Sequence, residues 1–173
     1  KSIRDDGNVV RLDGIARDIT ELKLQEQRIA RLSRIHEVLS GINSAIVRIR
    51  DRQQLFEEAC RIAVEHGGFG VAWIGAYDPV AQEVTPMAWA GLEAGEYLGG
   101  VKSVIRDDHP QGGGVLAQAI RSRKAVIDND ITLDPAVGGK RGAEAIRRGY
   151  RSVVVLPLIV EGKVMGSLSL LAN

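Results

Sequence analysis

The segment GYRSVVVLPLIVEGKVMGSLSLL, residues 149–171, contains the most strongly apolar strand pattern in the chain. Residues 152–160 and 163–171 are rich in valine, leucine and isoleucine, which favour buried strands. Glu161 and Gly162 lie between these runs and are typical of a tight turn. The segment therefore predicts a long antiparallel hairpin.

The residues before this hairpin alternate between strand and helix patterns. Asp51 is placed to cap a helix that ends at Gly67 and Gly68, and Gly149 follows another helix as its C′ residue. The order of these elements is that of an α+β fold, in which helices cover the faces of a largely antiparallel sheet. The predicted strands are 70–77, 84–90 and 125–127, and the predicted helices are 55–64, a weak one at 96–104, 115–122 and 139–148.

Composition restricts the class of protein. The chain has 173 residues, 45% hydrophobic and 26% charged, which suits one globular domain of ordinary size with a remainder. Its net charge of +1 gives no general attraction for nucleic acid, and no apolar run approaches the roughly 20 residues of a membrane span. The single cysteine excludes an internal disulfide framework. We therefore expect a cytoplasmic protein without nucleic-acid partners or membrane insertion.

A long helical pattern over residues 21–52 precedes the sheet region. Its apolar residues recur at the a and d positions of a heptad, which is the seam of a coiled coil, and a three-residue slip near Ile29 shifts the register. In the second half, this seam either pairs with a second copy in a parallel dimer or covers the sheet of the next domain. The charged first half favours a linker coiled coil stabilised by a partner chain. The predicted dimer residues are Leu32, Ile35, Leu39, Ile42, Ile46 and Ile49.

The first twenty residues have the pattern of a domain end. Residues 9–18 alternate weakly, as in the edge of a sheet, and Asp18 and Thr20 lie where the N-cap of the following helix belongs. The run DGIARDITE, residues 13–21, resembles the close of a PAS domain, whose last strand ends in an Asp-Ile-Thr-Glu signature before an output helix. The resemblance implies that residues 1–20 are the C-terminal end of a PAS domain, without its pocket.

Three further blocks resemble a GAF domain, the small sensory fold of bacterial signalling proteins. They are GVLAQAIRSRKAVIDNDI at 114–131, GYRSVVVLPL at 149–158 and GSLSL at 166–170. The resemblance covers residues 53–173 and implies a GAF-like antiparallel sheet flanked by helices, with residues 21–52 as its long N-terminal connector helix. GAF domains usually close with a further long helix that leads to an output domain. We expect both to lie beyond this chain.

The pocket of a GAF domain lies between one sheet face and the irregular helix-loop segment. The Asn-Lys-Phe-Asp-Glu set of cyclic-nucleotide GAF domains is absent from the matching region, and Cys60 lies on the wrong helix to attach a bilin. Free methionine sulfoxide reductases of this fold need several cysteines, and His109 is the only candidate for the haem-binding alternative. No cofactor is therefore expected. The candidate pocket residues are Trp73, Trp89, His109, Asp128 and Asp130.

Two charged groups favour structural roles. The aspartates between residues 107 and 134 lack the spacing of an EF-hand loop and suit turns and a helix cap, so no metal site is expected. A basic cluster is interpreted as a solvated face, in preference to a phosphate or nucleotide site. That cluster is Lys140, Arg141, Arg147, Arg148 and Arg151.

These patterns predict a non-catalytic regulatory module. We expect it to bind an unidentified small ligand, to form a homodimer through the N-terminal helix, or to do both. The resemblance implies a parent protein that turns over cyclic-di-GMP, or a sensor histidine kinase. A dimerisation domain without a ligand and a redox or hydrolytic GAF relative are the alternatives.

Overall fold

The computed structural model describes residues 2–5, 8–12, 20–99, 102–109, 112–133 and 139–173. The chain divides into two compact units, residues 1–33 and residues 34–173.

In the first unit, two short strands form an antiparallel hairpin. Strand β1 spans Ser2–Asp5 and strand β2 spans Asn8–Leu12. The strand that the sequence predicts from Val9 is therefore present. Most of the PAS-like signature, residues 13–19, lies outside the described residues.

The helical pattern over residues 21–52 is interrupted before its end. Helix α1 spans Thr20–Arg48, and helix α2 spans Arg52–Glu65. Asp51 begins α2, because its backbone is extended and its Oδ1 accepts a hydrogen bond from the Gln54 N–H at 2.8 Å. The predicted cap is confirmed, and it starts a new helix after a break that the apolar pattern did not indicate.

The second unit contains a six-stranded antiparallel sheet with the strand order β5-β4-β3-β8-β7-β6. This arrangement confirms the predicted α+β class. The prediction of a weak helix over residues 96–104 was wrong for its second half, because Ser103 and Val104 form an edge strand that pairs with β4. The strands are β3 Val71–Asp78, β4 Glu83–Gly91, β5 Ser103–Val104, β6 Val126–Asp128, β7 Ser152–Val160 and β8 Lys163–Ala172, and the remaining helices are α3 Ala94–Leu98, α4 Val115–Ser122 and α5 Gly139–Arg147.

The ends of the terminal hairpin have the backbone geometry that their residues favour. Glu161 and Gly162 both have positive φ, 49° and 75°, as a two-residue hairpin turn requires. Gly149, at φ 88°, ends α5, and the next N–H, that of Tyr150, donates to the Ala145 carbonyl at 3.0 Å. The long hairpin and its preceding helix end are therefore confirmed.

The two faces of the sheet carry separate apolar clusters. On one face, α2 packs with Cys60 and Ala63 against Ile74 of β3, and Ile42 of α1 joins the same cluster. On the other face, α3, α4 and α5 pack over a cluster that includes Trp73. Neighbouring residues of β3 therefore belong to different clusters, as the two-residue period of a strand requires.

The Asp51 cap gives a test of how α2 begins. Asp51→Ala removes the acceptor for the Gln54 N–H and should lower the free energy of unfolding by about 1 kcal/mol, measured by urea denaturation. Asp51→Asn keeps an acceptor of equal capping preference and should leave the stability within a few tenths of a kcal/mol of wild type. Equal destabilisation by both variants would contradict a capping role.

Candidate ligand pocket

A cavity of about 330 Å³ lies between the second face of the sheet and the helices α3, α4 and α5. This volume is at the small end of the roughly 300–1,000 Å³ that small-molecule sites occupy. Most of the wall is apolar, with a few polar side chains between. The larger apolar and aromatic lining residues include Trp73, Tyr97, Leu98, Leu116, Ile131 and Leu171.

The cavity brings together only part of the predicted pocket set. Trp73 and Asp128 line it. Trp89 lies directly opposite Trp73 on the neighbouring strand, but its side chain is 46% exposed and is not part of the lining.

The two remaining candidates lie in turns outside the lining. His109 is in the loop before α4, where its N–H donates to the Arg106 carbonyl. Asp130 accepts hydrogen bonds from the Thr132 N–H and hydroxyl, which lower the pKa of the Asp130 carboxyl. Asp128 has a local role as well, because its Oδ1 accepts from the Asp130 N–H at 3.0 Å. These aspartates shape the turn after β6, and Asp128 alone of the pair also faces the cavity.

Arg141 is a lining residue that the sequence pattern did not identify. Its guanidinium carbon lies 5.1 Å from the ring centre of Trp73 and 5.7 Å from that of Tyr97. Burial lowers the pKa of this guanidinium, which nevertheless stays charged. Interpreting the whole basic cluster as a solvated face was therefore wrong for Arg141. Helical spacing turns this residue inward while Arg147, on the same helix, remains exposed.

Ser169 supplies a buried hydroxyl to the same cavity. It lies on β8, directly opposite Trp73 on β3, and is 2% exposed. Its Oγ has no hydrogen-bond partner among the described residues. A buried hydroxyl without a partner costs free energy, so this oxygen is suited to bind something that enters the cavity.

An ion-pair network joins two of the helices that wall the cavity. Arg148, just after α5, bonds the Glu144 carboxylate at 2.7 Å and reaches Glu93 and Glu96 of the α3 region at 2.5 and 3.6 Å. Arg147 also bonds Glu144, and the hydrogen bonds from Arg147 and Arg148 lower the pKa of Glu144 to about 2. The network therefore fixes the end of α5 against the start of α3.

The predicted dimer seam on α1 divides into two sets in the structure. Ile42 packs against the apolar cluster under α2, as the covering interpretation expects, and Ile49, just after the end of α1, is half-buried. Ile35, Leu39 and Ile46 are exposed, Leu39 to 56% of its surface. Leu32, which lies in the first unit, is exposed as well.

The single cysteine lies away from the cavity. Cys60 is fully buried on the α2 face, and burial raises the pKa of its thiol to about 12. At this pKa the thiol is not a nucleophile at neutral pH. Neither cysteine nor histidine is present among the described residues that line the cavity. Within the described part of the chain, no group of histidine, cysteine and carboxylate side chains is arranged to hold a metal ion.

The architecture of sheet, helices and cavity corresponds to a known family. The family model described as GAF domain (GAF_2) matches residues 49–173. The chain belongs to the GAF domain family. GAF domains are sensory and regulatory modules found in signalling proteins, and they are generally non-catalytic. No curated protein sequence shows significant similarity to this chain.

Several solved GAF structures have the same fold. The nlh2 GAF domain of A. aeolicus in an inactive state has a TM-score of 0.64 at 13% identity, over 83% of this chain and 82% of that one. The GAF domain of a phosphoenolpyruvate-protein phosphotransferase (ptsP) from Coxiella burnetii has a TM-score of 0.64 at 17% identity, over 82% and 79%.

A third neighbour is an enzyme. Free methionine-R-sulfoxide reductase from Neisseria meningitidis, solved in complex with its substrate, has a TM-score of 0.62 at 22% identity, over 79% of this chain and 72% of that one. At such identities the likeness concerns the fold.

Among the described residues, this GAF protein has no helix with the length and apolar character to cross a membrane.

The Glu144 network predicts a pH-dependent stability. Because the folded-state pKa of Glu144 is lowered from its ordinary 4.5 to about 2, the network stabilises the fold above pH 4.5 and loses this contribution as the pH falls toward 2. The melting temperature of wild type should therefore exceed that of Glu144→Gln at neutral pH, and the difference should vanish in acid.

A turn glutamate gives the control for this measurement. Glu161→Gln changes an exposed carboxylate that forms no ion pair with the described residues, so its melting temperature should follow that of wild type at every pH. A constant offset between wild type and Glu144→Gln across the acid range would contradict the proposed linkage.

Proposed function

We propose that this GAF module is a non-catalytic sensor that binds a metabolite-sized ligand in the cavity and forms a parallel homodimer through α1. The observation that carries ligand binding is the cavity itself. Its apolar wall with a few convergent polar groups, among them Arg141 and Ser169, is the composition of a small-molecule site.

The proposal includes the setting of the module. The PAS-like run at 13–21 and the GAF-like blocks support a cytoplasmic multidomain signalling protein in which α1 connects the two domains. We propose an output that turns over cyclic-di-GMP, with a sensor histidine kinase as the alternative. The position of Cys60 on the face opposite the cavity, with a raised thiol pKa, supports a regulatory role in preference to a redox one.

A thermal-shift screen of amino acids, oxo acids, nucleotides and haem tests ligand binding. At least one compound should raise the melting temperature of wild type, because a ligand that binds only the folded state stabilises it by mass action. Gly142→Leu should abolish that increase. Gly142 lines the cavity, and a Cβ built on it meets no atom within 4 Å, so the added side chain has space to occupy.

Gly113 provides the matched control. A Cβ at Gly113 also meets no atom within 4 Å, but this residue is outside the lining. Gly113→Leu should therefore keep the ligand-induced increase. If no compound raises the melting temperature of wild type, or if Gly142→Leu responds as wild type does, the cavity is not a ligand site and the purely structural alternative is favoured.

Exposed apolar side chains support the dimer. Ile35, Leu39 and Ile46 lie on α1, where exposed apolar residues at heptad spacing are typical of a helix–helix interface. Ile42 and Ala45 lie along the edge of this stripe that meets the domain: Ile42 packs against the cluster under α2 and Ala45 is buried, so neither is available to a partner. A second copy of α1 would cover the exposed side.

Charge substitutions on α1 test this interface. Leu39→Glu combined with Ile46→Glu should convert a dimer into a monomer in sedimentation or light-scattering measurements, because burying two carboxylates in an apolar seam is unfavourable. Ser44→Glu adds a charge to the exposed far side of the helix and should leave the dimer intact. A monomeric wild type at high concentration, or a dimeric double variant, would contradict dimerisation through α1.

A further inference from the structure

We infer that the cavity takes a small aliphatic carboxylate, with Arg141 as the anchor for the carboxylate and Ser169 as an additional hydrogen-bond donor. This inference rests on the proposed function, since it names the class of ligand for the same cavity. It assigns roles to two residues that the patterns in the sequence did not indicate.

The first argument is the position of a cation inside an apolar cavity. The Arg141 guanidinium lies over the rings of Trp73 and Tyr97, and burial makes its charged form less favourable than in water. Aromatic faces offset part of this cost through the cation–π interaction. A carboxylate offsets more of it, because guanidinium and carboxylate form two parallel charge-assisted hydrogen bonds.

The second argument is the Ser169 hydroxyl. Ser169 lies next to Trp73 in the sheet, and Arg141 lies over the ring of Trp73, so both polar groups are close to the same aromatic side chain. The Oγ is almost fully buried and lacks a partner among the described residues. A hydroxyl can donate a hydrogen bond to a carboxylate oxygen, and a bound carboxylate would give the Ser169 hydroxyl the partner that it lacks among the described residues.

The third argument is the start of α4. Gly114 and the first residues of this helix line the cavity, and no described side chain caps its N terminus. The first N–H groups of a helix and the positive end of the helix dipole favour an anion at such a position.

The fourth argument is the balance of charge around the cavity. The lining carboxylates of Glu144 and Glu96 are already engaged by Arg148, and Asp128 accepts a backbone N–H. Lys140 also lines the cavity and forms no ion pair with the described residues. Lys140 and Arg141 therefore place two cations next to each other at one part of the wall, and a ligand with an ammonium group would meet like charge there.

The remaining lining determines the body of the ligand. Leucine, valine and isoleucine side chains dominate the wall beyond the polar groups, and the volume of about 330 Å³ suits a small molecule. A short branched hydrocarbon would remove these apolar surfaces from water. The full description of the ligand class is therefore a compact aliphatic acid in its anionic form.

The probes for the test are isocaproate, isocaproamide and isohexylamine, which share one branched body and carry an anionic carboxylate, a neutral amide and a cationic ammonium head group. Trp73 and Trp89 are the two tryptophans of the chain, so the Trp89→Phe variant carries its single tryptophan in the cavity. Titration of its fluorescence should show binding of isocaproate. The amide and the amine should bind at least about tenfold more weakly, the difference expected for a hydrogen bond between charged groups.

Matched substitutions in the same background assign the residues. Arg141→Met should weaken isocaproate binding about tenfold or more, whereas Arg61→Met, which changes an exposed arginine of α2 on the opposite side of the sheet, should not change it. Ser169→Ala should weaken binding, whereas Ser167→Ala, which removes a buried hydroxyl outside the lining, should leave it unchanged. A circular dichroism melt of each variant reports the fold separately from the affinity.

The outcomes test the carboxylate assignment separately from the proposal that the cavity binds a ligand. Isocaproate binding that Arg141→Met removes supports the carboxylate assignment. Equal binding of acid and amide, unchanged binding in Arg141→Met, or no binding of any probe overturns it. In those cases the metabolite screen with Gly142→Leu still shows whether the cavity binds another class of ligand, so failure of this assignment is distinct from failure of the proposed function.

Discussion

The pairing of β8 with strands on both of its sides is the constraint on which the rest of the second unit depends. Ser169 lies opposite Trp73 and Val155, and the next residue, Leu170, lies opposite Ala72 and Val154. A shift of one residue would move every side chain of β8 to the other face. Gly166 helps to define the register, because a Cβ at that position would be 2.1 Å from the carbonyl oxygen of Gly75 on β3. The position of the cavity therefore depends on the register of the central strand.

This register separates two chemically different sides of the sheet. Cys60 and Leu170 belong to the side that α2 covers, where small and aliphatic residues pack closely. Trp73 and Ser169 belong to the other side, where three helices leave a space between them and the strands. One side is a packed core in which a thiol is inert, and the other combines a charge, a hydroxyl and aromatic rings around a cavity.

The fold was more predictable from the sequence than the site, for a physical reason. The β7–β8 hairpin, the Asp51 cap and the end of α5 at Gly149 depend on local patterns and turn geometry, so neighbouring residues predict them. The role of Arg141 depends on which side of α5 meets the sheet, and that is decided by residues more than forty positions away, such as Tyr97. Trp89 lies opposite Trp73 in the sheet, but its side chain is 46% exposed and outside the lining, because strand position alone does not determine where the helices enclose a cavity.

The placement of Trp73 also relates the cavity to α1. Trp73 contacts the guanidinium of Arg141, while its neighbours Ala72 and Ile74 pack on the opposite face with α2 and with Ile42 of α1. A displacement of β3 at Trp73 is shared by these neighbours, because they belong to one hydrogen-bonded strand. On the cavity side, Arg148 fixes the end of α5 to α3, so the helix that carries Arg141 is held at one end. Only the strand β3 separates the cavity from the apolar cluster that α1 joins. A change at the cavity wall would therefore reach α1 without a long path through side chains.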